Sequence, residues 1–382
     1  MNIRSKFPQQ QTTIFTVMSA LAQQHQAINL SQGFPNFHPD PLLLQHLNEA
    51  LQEGYNQYAP MAGHLGLRQL LATKHQKAYG CTLDAEREIT ITSGATQALY
   101  TAITALVHLG DEVVIFEPAY GCYLPAIEAA GGRVVPIRLK APHFYIDWQE
   151  VKECINAKTR MILVNTPNNP ACTTWNEADW QQLESLVAGK DIVVLSDEVY
   201  EHLVLGGRKH LSLLGRPALK DQGLAVFSFG KTFHVTGWKM GHIAGSHSLM
   251  AEFRKLHQYV VFAANHPMQE ALFRYMAEER VYSGLDAFFD QKYQLFVEAC
   301  SDSGLRFLPS HGSYFVLADY SDWSDLDDRE FAHWLTVSHG VASIPLSPFY
   351  SADMHQKLVR FCFAKTEDLL LEAAGRLQKV KK

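Results

Sequence analysis

A chain of 382 residues is too long for one simple hydrophobic core, so two interlocked domains are expected. Hydrophobic residues make up 47% and charged residues 19%, a globular balance that excludes a disordered chain. The formal charge of −6 is scattered without a run of lysine or arginine, so neither nucleic acid nor a membrane surface is an expected partner.

The start, Met1 to Phe15, is polar and glutamine-rich, with no apolar stretch for export or anchoring; a cytoplasmic setting is expected. Ile14 to Ala22 then places Ile14, Val17, Met18 and Leu21 at helical spacing. A loop dense in turn formers and aromatics follows, Ser31 to Phe37. From Glu88 to Ser246, short β-branched or apolar runs alternate with amphipathic helical stretches such as Trp175–Val187. The expected strands are Ile89–Thr92, Val113–Phe116, Val134–Leu139, Met161–Asn165, Ile192–Ser196, Ala225–Phe229 and Lys239–Ala244. Such alternation predicts an α/β fold with a mainly parallel sheet covered by helices on both faces. A long helical stretch, Leu249 to Ser301, leads into an α+β tail with strands at Leu305–Pro309, Tyr314–Asp319 and Leu358–Phe363. Thr366 suits the N-cap of a last helix. The expected division is an N-terminal arm over 1–32, a large domain over 33–283 and a small domain over 284–382, the two chain ends combining. The six cysteines, Cys81, Cys122, Cys154, Cys172, Cys300 and Cys362, form no C-x-x-C pair, so neither a metal centre nor a disulfide framework is expected.

Ligands of open α/β sheets bind beyond the carboxyl ends of the strands, and polar residues concentrate there. After Ile89–Thr92 comes Ser93-Gly94-Ala95-Thr96-Gln97, opening directly into a helix. Free N–H groups at such a turn suit a phosphate, with a plain βα turn as the competing account. Asp197 follows an all-apolar strand and is either a helix N-cap or a buried acid needing compensation. Lys231 follows Ala225–Phe229 in Gly230-Lys231-Thr232. A lysine held there has a depressed pKa suited to Schiff-base chemistry, unless it snorkels to the surface. Asn165-Thr166-Pro167-Asn168-Asn169-Pro170 offers amides at the same edge, and Lys239 a second cation. Arg360 lies within Leu358–Phe363, where it matches either a bound carboxylate or a structural ion pair.

The combination of Asn-Asn-Pro, Asp-Glu-Val-Tyr, Gly-Lys-Thr-Phe, Gly-Trp-Lys and Arg-Phe-Cys-Phe, in this order, resembles the fold-type I, class I pyridoxal-phosphate aminotransferases along nearly the whole chain. Within them it is most similar to the kynurenine and glutamine-type branch and its bacterial methionine aminotransferases. The resemblance implies pyridoxal 5′-phosphate as cofactor, with Lys231 as its Schiff-base lysine and as the base that moves the Cα proton. It implies that Asp197 pairs with the pyridinium nitrogen, that Asn169 and Tyr200 bond the phenolate oxygen, and that Tyr120 stacks on the ring. Gly94, Ala95, Thr96, Ser228 and Lys239 would hold the phosphate, joined by Tyr58 from a neighbouring subunit of a homodimer. Arg360 and Asn169 would grip the substrate α-carboxylate, with the Gly33 backbone close by. Three departures stand out: Lys239 where many relatives have arginine, Gly230 where many have serine, and Ala171-Cys172 where a glycine usually follows Asn-Pro.

No second arginine appears in a recognisable position for a dicarboxylic substrate. Phe15, Phe34 and Phe262 are candidate walls of a side-chain pocket, each equally suited to a core. Methionine and aromatic amino acids are therefore the expected donors and 2-keto acids the acceptors. The competing activity is a cysteine-conjugate carbon–sulfur β-lyase using the same cofactor. A ligand-sensing domain of a transcription regulator is disfavoured for want of a DNA-binding extension, and a dinucleotide-binding dehydrogenase for want of G-x-G-x-x-G after the first strand.

Overall fold

The computed structural model describes residues 3–8, 12–352, 354 and 356–380. A short strand, β1 (Ile28–Asn29), lies near the chain start. Seven strands then form the central sheet: β2 (Ile89–Thr92), β3 (Glu112–Glu117), β4 (Arg133–Arg138), β5 (Thr159–Asn165), β6 (Val193–Asp197), β7 (Gly223–Ser228) and β8 (Gly241–Gly245). Their spatial order is β2-β8-β7-β6-β5-β3-β4. All but the edge strand β4 are buried along most of their length, as strands covered on both faces must be. The period of two divides them between two apolar clusters. Val113, Ile115, Val193 and Leu195 enter one, and Val114, Phe116, Val194 and Ala225 the other.

The sheet is parallel except for β8, which runs antiparallel to both neighbours. Between Ser228 and Gly241 lie only a one-turn helix, Phe229–Thr232, and a 3-10 turn, Thr236–Trp238. Without the longer helix that a parallel crossover carries, the chain folds straight back. The register then sets Asn165 beside Asp197, Ser228 beside Gly241, and Gly241 beside Thr92. The carboxyl ends of β2, β5, β6 and β7 thus share one edge with the start of β8.

The tail adds β9 (Arg306–Phe307), β10 (Phe315–Asp319), β11 (Val341–Ala342), β12 (Ile344–Pro345) and β13 (Leu358–Cys362). Four of them make an antiparallel sheet ordered β12-β13-β10-β9, in which Arg360 stands between Ile344 and Leu317. β1 pairs in parallel with β11, joining the two chain ends.

The helices depart more from expectation. Pro41–Gln52 and Leu65–Tyr79 precede the sheet where no element is predicted. The long stretch from Leu249 is broken into His247–Val260, His266–Met276 and Leu285–Ala299, with Phe262 at positive φ and Asn265 capping the second helix. Thr366 does precede the last helix, Glu367–Leu377, but its side chain makes no capping bond. Asn36 reaches it instead: Oδ1 accepts from the Thr366 N–H at 2.7 Å, and Nδ2 donates to its hydroxyl at 3.3 Å. Among the described residues no helix is long and apolar enough to cross a membrane.

Candidate active site

A cavity of about 290 Å³ opens at the shared sheet edge. Lys231 enters it from the one-turn helix after β7, whose start is fixed by the Ser228 hydroxyl accepting from the Lys231 N–H at 3.3 Å. Its side chain does not run to the surface. Nζ donates to the Gly33 carbonyl at 3.0 Å and to the Tyr314 hydroxyl at 2.8 Å. Burial pulls its pKa down to about 8, with the positive charges of Lys239 and Arg360 acting the same way.

Asp197 closes β6 and is buried. No helix begins at it, so it is not an N-cap. Its Oδ2 accepts from the Tyr123 hydroxyl at 2.5 Å and its Oδ1 from the Val199 N–H at 3.3 Å. Burial raises its pKa to about 6, against the pull of those two donors.

The helix Ala95–Leu106 begins at this edge with no side-chain cap on its first N–H groups. Gly94 precedes it at φ +77°, where a Cβ would lie 3.4 Å from the Lys239 backbone. A Cβ on Gly241 would meet the Ala95 nitrogen at 3.0 Å and the Phe227 carbonyl at 2.6 Å. Three backbones therefore crowd round an open helix start, with Lys239 lining the cavity beside it. That cradle suits a phosphate.

Arg360 comes from β13 and is wholly buried. Its Nη1 donates to Asn169 Oδ1 and its Nη2 to the Ser31 carbonyl at 3.1 Å, while Nε has no partner. The guanidinium lies 3.7 Å from the Phe315 ring centre and 5.5 Å from that of Phe15. Among the described residues no carboxylate pairs with it, so the structural ion pair is ruled out and an anion site remains.

Asn169, Tyr200 and Tyr120 also line the cavity. Asn169 is placed twice, by Arg360 and by its own N–H donating to Asn165 Oδ1 at 2.9 Å. Tyr200 packs edge-on to Tyr314 at 5.1 Å between centroids. Of the remaining expected residues, Gly33, Ala95, Thr96, Ser228 and Phe15 line the cavity, whereas Phe34, Tyr58 and Phe262 do not. Phe34 is partly exposed, its ring 4.6 Å from Lys365 Nζ. Tyr58 is 80% exposed and packs edge-on against the exposed ring of Phe262.

Two departures in sequence have local causes. At Gly230 a Cβ would sit 3.0 Å from the Thr236 Cα, so the returning chain favours glycine where relatives carry serine. Cys172 adopts φ +60°, taking the turn that glycine usually makes, and Asn169 is still held. Sequence reasoning missed Tyr123, Tyr314 and Phe315. The first stands three residues after Tyr120 at the start of a helix, Phe315 opens β10 and Tyr314 just precedes it; nothing in their local pattern separates them from core aromatics.

A primary amine with lowered pKa, a buried acid awaiting a cation, an uncapped helix start and a guanidinium without counter-ion together describe an enzyme that joins a phosphorylated carbonyl cofactor to an amino acid. Comparison with known proteins makes this specific. Residues 25–377 match the family model of class I and II aminotransferases. The chain is 50% identical to the methionine aminotransferase of Escherichia coli, over 99% of this chain and 98% of that one. It is 33% identical to kynurenine–oxoglutarate transaminase 1 of Mus musculus, over 94% and 92% of the two chains. The solved structure of YbdL from Escherichia coli, reported with a methionine aminotransferase function, superposes with a TM-score of 0.97 over 99% of this chain and 100% of that one, at 50% identity. The chain belongs to the class I and II aminotransferases. It is a pyridoxal-phosphate-dependent transaminase, as the motifs lead one to expect, and its substrates are amino acids and keto acids.

The lowered pKa of Lys231 has a direct readout. The neutral amine reacts with the cofactor aldehyde, so the absorbance change on adding pyridoxal phosphate to cofactor-free protein should speed up about tenfold per pH unit below pH 8. It should level off above that; a rate still climbing past pH 10, as for an ordinary lysine at about 10.4, would contradict the placement.

Proposed function

We propose that this aminotransferase takes the amino group of methionine and aromatic amino acids and passes it to 2-keto acids. The observation that carries the donor class is the make-up of the cavity wall. Among the described residues its cations are Lys231, Lys239 and Arg360 alone, and the rings of Phe15 and Phe315 flank the guanidinium. With both lysines given to the cofactor, Arg360 is left for the α-carboxylate. No further arginine meets an acidic side chain, whereas an apolar or aromatic one suits the rings. The activities named for the relatives from Escherichia coli and Mus musculus support the same choice.

Bound in the cavity, pyridoxal phosphate supplies an electron sink beside the substrate Cα. Lys231, as a neutral amine, would take the Cα proton and hold it for return. Asp197 keeps a proton on the ring nitrogen, and Tyr123 holds that carboxylate in line. Arg360 occupies the Asn169 amide oxygen, which leaves Nδ2 as the donor that, with Tyr200, would hold the cofactor's ring oxygen. Tyr120, on the cavity wall, would offer its ring to the cofactor. Gly94, Ala95 and Thr96 offer N–H groups to the phosphate, with Ser228 and Lys239 adding a hydroxyl and a charge. Arg360 and Asn169 hold the substrate carboxylate next to the Gly33 backbone.

The cofactor is assigned to the large domain, 33–283, with 1–32 and 284–382 forming the small one. The setting proposed is cytoplasmic, in keeping with six free cysteines. Exposed Tyr58, outside its own cavity, is assigned to the phosphate of a second copy, making a homodimer.

Steady-state kinetics over an amino-acid panel should place methionine, phenylalanine and tyrosine ahead of aspartate and glutamate in kcat/KM. A preference for either acid would overturn the donor class, and pyruvate released from a cysteine conjugate without any keto acid would point to the β-lyase. Arg360→Ala should raise the amino-acid KM by roughly 30- to 1,000-fold, and an unchanged KM would remove its role. Light scattering should give twice the 43.0 kDa of one chain, and a monomer would sink the shared site.

A further inference from the structure

Four successive carbonyls of the loop before helix Pro41–Gln52 accept from three side-chain cations. Ser31 accepts from Arg360 Nη2 at 3.1 Å, and Gly33 from Lys231 Nζ at 3.0 Å. The carbonyls on either side of Gly33 share one donor, Lys365 Nζ, at 3.4 Å from Gln32 and 2.7 Å from Phe34. Lys365 is 2% exposed, and among the described residues no carboxylate pairs with any of the three cations. Carbonyl dipoles therefore compensate these charges.

Two of the cations have other tasks on the reading given above: Lys231 serves the cofactor and Arg360 the substrate carboxylate. As Lys231 turns to the cofactor, the Gly33 carbonyl loses its cationic donor, while Arg360 must divide its donors between Ser31 and the substrate. Gly33 keeps the Tyr314 hydroxyl at 2.7 Å, and the loop is tied at its ends by Cys362 N–H to the Leu30 carbonyl and by Thr366 N–H to Asn36. Lys365 alone of the three cations has no second task, and it grips both sides of Gly33. Position matters here because a Cβ on Gly33 would lie 2.5 Å from the Phe315 ring, and that ring packs on Arg360. A shift of the loop changes the slot in which the substrate carboxylate sits.

We propose that Lys365 is a positioning residue that holds the Gly33 backbone at the substrate end of the cavity while Lys231 and Arg360 are engaged. It stands three residues past the end of β13, so the chain leaving the strand that carries the carboxylate-binding arginine supplies the anchor of the loop opposite.

The test separates the anchor from the reading of Arg360. Hydrogen exchange over residues 31–37 is compared in cofactor-free wild type, Lys365→Met, Lys231→Ala and the double variant, with no ligand present. Each single variant keeps at least one lysine on the loop and should stay near wild-type protection; the double variant should exchange about tenfold faster. Protection retained in the double variant overturns the anchor, whatever Arg360 binds. In cofactor-loaded Lys365→Met, KM for the best amino-acid substrate should rise about tenfold with kcat nearly unchanged, and Lys365→Gln, which keeps an N–H donor, should fall between. A loss confined to kcat, or an unchanged KM, overturns the positioning role even where the anchor is seen.

Discussion

Arg360 is wholly buried without a carboxylate, so its charge must be held by dipoles and rings drawn from the rest of the chain. Each of those partners comes from a different part of the fold. Asn169 belongs to the loop after β5, Ser31 to the segment after β1, and Phe315 to the neighbouring strand β10. The central sheet, the chain start and the tail therefore meet at one guanidinium. Its satisfaction is incomplete, since Nε points at no acceptor. An interior group of that kind is costly unless an anion completes it, which makes the anion part of the design of the site.

The same low-polarity surroundings act on Lys231 and Asp197 in opposite senses. Burial favours the neutral form of each group, bringing the amine down to about 8 and the acid up to about 6. Two groups whose ordinary values lie far apart are thereby moved towards neutrality from either side. The lysine can then exchange a proton near physiological pH. The acid, with Tyr123 and Val199 already donating to it, is best completed by a cationic ring nitrogen.

Much of this was legible from residue order, because strands buried on both faces read as unbroken apolar runs and the reactive residues follow them directly. Ile89–Thr92 appears with the expected bounds, and β3, β5, β6 and β7 lie within two residues of theirs. Helix Leu65–Tyr79 was hidden because Arg68, Lys74 and His75 stand on its buried face, which erases the apolar period. There Lys74 and Glu201 form a buried ion pair at 2.5 Å, a compensation visible only once residues far apart in sequence meet. Tyr314 and Lys365 escaped notice for the same reason. Their partners are backbone carbonyls some 300 positions away, and local pattern carries no trace of them.

The one antiparallel strand of the central sheet is the most informative. A parallel β8 would have begun at the far edge of the sheet and carried Lys239 away from the cavity. Running antiparallel, it starts beside Ser228 and Thr92, and the residues just before it lie against the opening of helix Ala95–Leu106. The short return from Lys231 thus brings a second cation to the cradle that the uncapped helix has left open. Tight backbone crossing there favours glycine at 230 and 241, and the positive φ at 94 favours it there. The spacing between the lysine for the cofactor's carbonyl and the charge for its phosphate is therefore set by the short return from β7 to β8 and by the register that seats Gly241 beside Ser228.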